Sequence, residues 1–248
     1  KMYQTFKNIF KKCNLDTIVV KSNPESMKGT TSEEFQVLCN FGDNEIVKCT
    51  TCSYSSNIEE ASSLIKDKKD KSYDIKMLRK VYTPGVKTVK ELKEYFNADD
   101  DKILKSLVIK ADSKYIMILL KGSDELNISK LEKVLKTKDI EIPSSYELER
   151  IGTEVGFIGP IKSTMMIIAD SEVKNMHNVI CGANIKDYHY KNANPRIDFK
   201  IDRYADLKNF NDNSLCPKCG SKCEILNGIE VGHIFKLETN YSKIYNLR

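Results

Sequence analysis

Two cysteine pairs of identical spacing stand far apart in this chain, Cys49-Thr50-Thr51-Cys52 and Cys216-Pro217-Lys218-Cys219. Two thiolates separated by two residues form a knuckle that can grip one tetrahedral ion, and a CPKCG run is typical of a zinc ribbon. If both pairs share one structural zinc, the chain must leave a body, fold elsewhere and return, and the metal staples that body across the insertion. A redox pair is the alternative. Neither knuckle, however, sits at a strand-to-helix start of thioredoxin type. Cys223 is close enough to substitute as a ligand, while Cys13, Cys39 and Cys181 read as ordinary buried thiols.

The chain has 248 residues, enough for one large domain or two small ones with a real core. Hydrophobic residues at 40% and charged residues at 30% describe a soluble globular protein and exclude disordered or collagen-like classes. No apolar run approaches the roughly 18 residues of a membrane helix, and the N-terminal residues carry no secretory cleavage site. These features predict a cytoplasmic protein with no membrane partner, in which cysteines are thiols or metal ligands. A formal charge of +5 is compatible with a nucleic-acid partner and does not establish one.

Tyr3, Phe6, Ile9 and Phe10 predict a helix over residues 2–13, followed by a strand at 17–20. The alternation of Phe35, Val37, Cys39 and Phe41, with a Gly42-Asp43-Asn44 turn, predicts a hairpin with residues 45–49. Ser56 or Asn57 can cap a helix running to Leu64. The charge run Lys66–Lys71 reads as a solvated loop at a domain boundary. Further on, Val89, Leu92 and Phe96 predict a helix ending at Asn97. Within the stretch 102–111, Leu107, Val108 and Ile109 read as a short buried strand, with 115–120 pairing against it. A helix over 126–135, a helix at 146–151 capped by Ser145, and strands at 165–169, 179–181 and 188–190 complete the pattern.

Three positions in this region carry chemistry. Lys105 stands at the start of a strand, where a lysine can hold a phosphate or carboxylate as a point charge, though exposed lysine is the norm. Residues 152–160, GTEVGFIGP, hold three glycines and a proline and cannot be regular structure. Such a loop can present backbone N–H groups to an anion or oxyanion, or it is an ordinary tight turn. His189, between two tyrosines, faces a pocket or serves the core.

The blocks TSEEFQVL, CSYSSNIEEA, TPGVKTVKEL, KSLVIKA, GFIGP, GANIKDYHY and GIEVGHIFKLETNYS occur here in the order found in bacterial-type prolyl-tRNA synthetases, which this chain resembles over nearly its whole length. The resemblance covers the middle of such an enzyme, from after the second class II signature to before the third, without the anticodon-binding domain. It implies an α+β architecture. Residues 1–80 and 201–248 would be pieces of a class II antiparallel-sheet catalytic core. Residues 81–200 would be an inserted editing domain similar to YbaK-type deacylases, with a mixed, barrel-like sheet, which hydrolyses alanine wrongly attached to proline tRNA.

By that resemblance Lys105 matches the lysine that positions the 3′-terminal nucleotide. Gly156, Gly159 and Pro160 match the loop whose amides hold the ester carbonyl and a water. His189 matches the histidine that limits side-chain size, and Asp170 an acidic position near the same pocket. Glu34, Glu230, Gly232 and His233 match active-site strands of the synthetic half, where the full enzyme binds proline, ATP and magnesium and is a homodimer. Glu33 and Asn240 depart from the family's usual histidine and lysine, which bears on the synthetic site and leaves the editing reading intact. The partner implied is the acceptor end of tRNA(Pro). Two other readings compete: a zinc-stapled tRNA-binding module without activity, and a free-standing aminoacyl-tRNA deacylase, which would lack the flanking blocks and both knuckles.

Overall fold

The computed structural model describes residues 1–24, 27, 29–65 and 74–246. The chain forms two compact units, one of Lys1–Leu64 with Asn209–Arg248 and one of Ile65–Lys208. The Lys66–Lys71 run lies outside the described residues. Among those described, no helix is long and apolar enough to cross a membrane.

The first unit starts with α1 (Met2–Lys12), followed by β1 (Ile18–Ser22), β2 (Thr31–Leu38), β3 (Asn44–Cys49) and β4 (Ser55–Asn57). The second contains β5 (Arg79–Tyr82), α2 (Val89–Phe96), β6 (Leu104–Ala111), β7 (Lys114–Lys121), α3 (Ile128–Leu135) and β8 (Ile140–Glu141). It continues through α4 (Ser145–Arg150), β9 (Met166–Asp170), β10 (Val179–Gly182), β11 (Tyr188–Ala193) and β12 (Arg203–Ala205). The chain then returns to the first unit as β13 (Cys223–Lys236) and α5 (Asn240–Ile244).

The first unit is a closed ring in the order β1-β2-β13-β3-β4, shut by a parallel pairing of Lys21 with Ser56. The expected β2–β3 hairpin does not form. The 14-residue β13 lies between the two strands and pairs with β2 on one side and β3 on the other. At the crossing, Gly228 faces both Leu38 and Asn44, and a Cβ on Gly42 would stand 2.3 Å from the Gly228 carbonyl oxygen. Phe41 consequently lies beyond the end of β2 and is 95% exposed. The helix expected from Asn57 to Leu64 is absent as well. Ser56 is held between Val47 and Lys21 in the ring, and the Asn57 side chain accepts the Glu59 N–H to make a turn. The α1 helix is as expected, with Tyr3, Phe6 and Phe10 each within 5.6 Å of the Phe35 ring. Gly232 makes this packing possible, because a Cβ there would stand 2.8 Å from the Phe6 and Phe10 rings.

In the second unit, α2 begins with a capping box in which Thr88 and Glu91 satisfy each other's N–H groups, and it ends on Asn97 in the left-handed conformation. β6 and β7 form a hairpin through Asp112 and Ser113, both at positive φ, as a two-residue turn matched to strand twist requires. β9 adds to β7 in parallel and β12 to β9, giving a mixed sheet of order β12-β9-β7-β6-β8. A second sheet, β10-β11-β5, joins it at a parallel bridge between Ile103 and Ile180. Leu104, Met117, Leu119, Ile167 and Ala169 pack against Val179, Cys181 and Ala193. Ile109, Ile116, Ile118, Leu120 and Ile168 pack beneath Leu131 and Leu207. The capping residue of α4 is Ser144, one position before the serine expected, because Ser144 forms the box with Glu147. The unit also reaches further than residues 81–200. β5 starts at Arg79 and pairs with β11, and beyond β12 both Leu207 and Lys208 are buried.

Candidate functional site

Lys105 lies near the start of β6, opposite Leu120 of β7. Its Nζ is 2.8 Å from Glu125 Oε1; the lysine side chain is 15% exposed and the glutamate 75%. A pair with one partner in open solvent contributes little, about 0–1 kcal/mol. An incoming anion can therefore replace Glu125 at small cost.

The glycine-rich loop is fixed by close approach of two backbones. A Cβ on Gly159 would stand 1.8 Å from the Gly182 carbonyl oxygen, and one on Gly182 would stand 2.2 Å from the carbonyl oxygens of Phe157 and Ile158. Gly156 has φ +88°, a conformation glycine adopts without strain. Asn184, just past β10, ties the loop down: its Oδ1 accepts from Gly159 N at 2.9 Å and from Thr153 Oγ1 at 2.8 Å, and its Nδ2 donates to Gly159 O at 2.8 Å.

His189, on β11, is 1% exposed, with its Nδ1 2.7 Å from Thr83 Oγ1 and its ring 5.4 Å from that of Phe157. Burial pushes its pKa down to about 4, opposed by the Gly156 backbone, so the imidazole is neutral at pH 7. A neutral ring held by Thr83 and packed against Phe157 carries no charge. Beside the loop, a cleft of about 650 Å³ is lined by Pro160, Lys162, Ser163, Met165, Phe199 and Lys200.

Asp170 closes β9 and is 2% exposed. Its Oδ1 accepts the Glu172 N–H at 2.8 Å and its Oδ2 accepts the Leu207 N–H at 2.9 Å. Burial raises its pKa against the pull of these two bonds. Both oxygens are thus engaged in capping a 3-10 turn and anchoring Leu207, which is a structural task.

In the first unit the two knuckles meet. The Sγ atoms of Cys49, Cys52, Cys216 and Cys219 lie within 4.8 Å of one another, with Cys49–Cys219 at 3.5 Å and Cys52–Cys216 at 3.6 Å. The Thr51 and Cys52 N–H groups donate to Cys49 Sγ and lower its pKa, and Ser221 brings Cys219 down to about 6. Four converging thiols with backbone donors around them are the donor set of a closed tetrahedral site. Cys223 pairs with Cys49 across β13 and β3, next to this set.

The ring also brings Glu34, Glu230 and His233 within 4.8 Å of one another. His233 Nδ1 is 3.1 Å from Glu230 Oε1, and its Nε2 contacts Ser22 at 3.1 Å and, more closely, Ser32. Gln36 Nε2 donates to Glu34 at 2.8 Å, leaving the buried Gln36 Oε1 without a hydrogen-bond partner among the described residues. Sequence reasoning did not single out Gln36, Ser22, Ser32, Thr83, Thr153 or Asn184. Asn184 lies inside a block that was recognised, and an asparagine directly after a Gly-Ala turn is a signal for left-handed backbone.

A profile of the aminoacyl-tRNA editing domain matches residues 83–199. The chain is 42% identical to a proline–tRNA ligase of Caldicellulosiruptor saccharolyticus over 99% of its own length and 43% of the relative's. It is 41% identical to one from Thermoanaerobacter sp. over 98% and 43%, and 36% identical to one from Brachyspira hyodysenteriae over 100% and 43%. It thus spans less than half the length of these relatives. A solved structure of a proposed trans-editing enzyme for prolyl tRNA synthetase aligns at TM-score 0.48 and 20% identity, over 54% of this chain and 87% of its own. The chain is therefore related along its whole length to a stretch of the proline–tRNA ligases, and its residues 83–199 belong to the aminoacyl-tRNA editing domain family.

Proposed function

We propose that this chain is the editing part of a proline–tRNA ligase, and that its second unit hydrolyses alanine from mischarged tRNA(Pro). The observation that carries the reading is the glycine-proline loop, pressed against Gly182 and facing a buried neutral histidine within the matched region. In this reading Lys105 exchanges Glu125 for a phosphate of the terminal nucleotide, and Lys162 and Lys200 accompany the strand along the cleft. Loop amides hold the ester oxygen and His189 limits the side chain admitted. Water adds to the carbonyl carbon, charge develops on the carbonyl oxygen, and the bond to the ribose oxygen breaks. The ribose oxygen takes up a proton, leaving alanine and a free tRNA hydroxyl. Positioning and oxyanion stabilisation drive the step, and no covalent nucleophile is used.

The need for such a site follows from the chemistry of selection. A pocket built for proline rejects the smaller alanine by only about 1–3 kcal/mol per lost methylene, so a second sieve is required. In the whole enzyme, a cytoplasmic homodimer, Glu34, Glu230 and His233 would belong to the site that activates proline with ATP and magnesium. The four clustered cysteines would hold a structural zinc, which supplies a cross-link and no chemistry.

Single-turnover hydrolysis of Ala-tRNA(Pro) and Pro-tRNA(Pro) tests the reading. The chain should cleave the alanyl ester selectively, and Lys105→Ala should slow that cleavage about 100-fold by releasing the substrate end. Equal rates for parent and variant would sink it, as would a parent that leaves both esters intact.

A further inference from the structure

We propose that Asn184 is the positioning residue of the editing reaction, and that it determines which amides of the glycine-rich loop are free to hold the ester oxygen. This rests on the editing reading above. Five hydrogen bonds run from this one residue to the segment 153–161. The side-chain oxygen takes Gly159 N and Thr153 Oγ1, the side-chain nitrogen gives to Gly159 O at 2.8 Å and Ile161 O at 3.4 Å, and the backbone N–H gives to Phe157 O at 2.8 Å. Asn184 can do this because it sits at φ +56°, where asparagine is tolerated and most side chains are not.

Across residues 156–160, the stretch that Asn184 holds, few donors are left over. Phe157 N–H is used by Glu154 O, Gly159 N–H is used by Asn184, and Pro160 has none. The N–H groups of Gly156 and Ile158 donate to no acceptor among the described residues, and both residues are half-buried. Two amides two residues apart, in a segment where the carbonyls of Glu154, Phe157 and Gly159 are already bound, form a donor pair for one oxyanion. Gly159, although a loop glycine, is not a donor to substrate. Its lack of a side chain is needed for the contact with Gly182, and its N–H is needed by Asn184.

The substitution Asn184→Asp keeps the acceptor for Gly159 and Thr153 but removes both donors and sets a charge against the carbonyls of Gly159 and Ile161. Asn184→Ala removes every side-chain bond. Thr153→Val takes away only the hydroxyl that orients the amide, and covers the case in which Asn184→Ala does not fold. Amide exchange by NMR on the full chain and single-turnover hydrolysis of Ala-tRNA(Pro) are measured side by side. In the parent, Gly159 N–H should exchange slowly and those of Gly156 and Ile158 quickly. In N184A, Gly159 should lose its protection, and the hydrolytic rate constant should fall about 100-fold while the half-saturating concentration stays put. T153V should lose several-fold in the same constant. N184D should regain rate relative to the parent as pH falls toward about 4, where a protonated carboxyl recovers a donor.

An N184A chain that hydrolyses at the parental rate, or that keeps Gly159 protected, overturns the role of Asn184. So does a loss of rate that tracks a lowered melting temperature and brings no pH-dependent recovery in N184D. A parent that leaves Ala-tRNA(Pro) intact overturns the editing reading itself, and is thereby told apart.

Discussion

Among the described residues, the unit spanning Ile65–Lys208 buries three apolar clusters, and its two buried lysines are paired, Lys208 with Glu172 at 2.6 Å and Lys130 with Asp206 at 3.0 Å. The ring unit is built differently. Its β2 strand buries Ser32, Glu34 and Gln36 along with Phe35, and its compact apolar cluster gathers Val47, Tyr54, Ala61 and Phe210 around Cys49 and Cys216. The ring is also made of two chain segments that must find each other across the whole second unit. A polar interior and a long closure are both costly, the first through desolvation and the second through chain entropy. The difference bears on where each unit would draw its stability: from area removed from water in one and, in the reading proposed above, from a metal held by four cysteines in the other.

Metal removal should therefore give the largest effect, and only in the ring. Zinc held by four thiolates is worth on the order of 10–16 kcal/mol in small zinc-dependent folds, and that binding energy is folding energy. Chelation, or Cys216→Ser, should abolish slow amide exchange in β3 and β13 and reduce bound zinc from about one per chain to none. Protection of Leu119 and Ile168 in the second unit should remain. Ring amides that stay protected in metal-free protein would show that the four sulfurs do not staple it.

The same division explains what could be read from residue order. The two cysteine knuckles were legible because the spacing within each is local, and so was α2, since Val89, Leu92 and Phe96 recur at helical spacing. The β2–β3 hairpin was misread because alternation identifies a strand without naming its partner, and the partner here is β13, far downstream. The false helix after Asn57 has a similar origin: good cap residues were claimed by ring pairing. Lys105, the glycine loop and His189 were visible as residue types in context. Asn184 was not, because a side chain that bonds to a loop some 25 residues earlier leaves no periodic trace.

A middle-sized effect should separate the units in the opposite sense. Leu119 is fully buried between β6 and β9, in the cluster that joins the two sheets. Leu119→Ala removes its methyl groups and leaves a cavity, at a cost of about 2–5 kcal/mol. Urea unfolding followed by exchange of β7 and β9 amides should show that loss in the second unit, with zinc content unchanged. A cost below about 1 kcal/mol would mean that the site collapses around the truncation and that the cluster is less rigid than its burial implies.

The smallest effect is a pH dependence confined to the second unit. Glu147 accepts hydrogen bonds from Ser144 N and Ser144 Oγ, each at 2.9 Å, and from the Tyr115 hydroxyl at 3.1 Å. The Ser144 N–H and hydroxyl, followed by Tyr115, hold its pKa down from 4.5 to about 2. The carboxyl is thus more acidic folded than unfolded, so the folded state favours the ionised form. The resulting stability is fully present above pH 4.5 and is lost as pH falls from there toward about 2. Glutamine at this position still completes a capping box but cannot titrate. Glu147→Gln should accordingly melt close to the parent at pH 7 and show a flatter decline between pH 4.5 and 2. Parallel declines in parent and variant would place the acid sensitivity elsewhere, and Glu147 would then serve α4 by its hydrogen bonds alone.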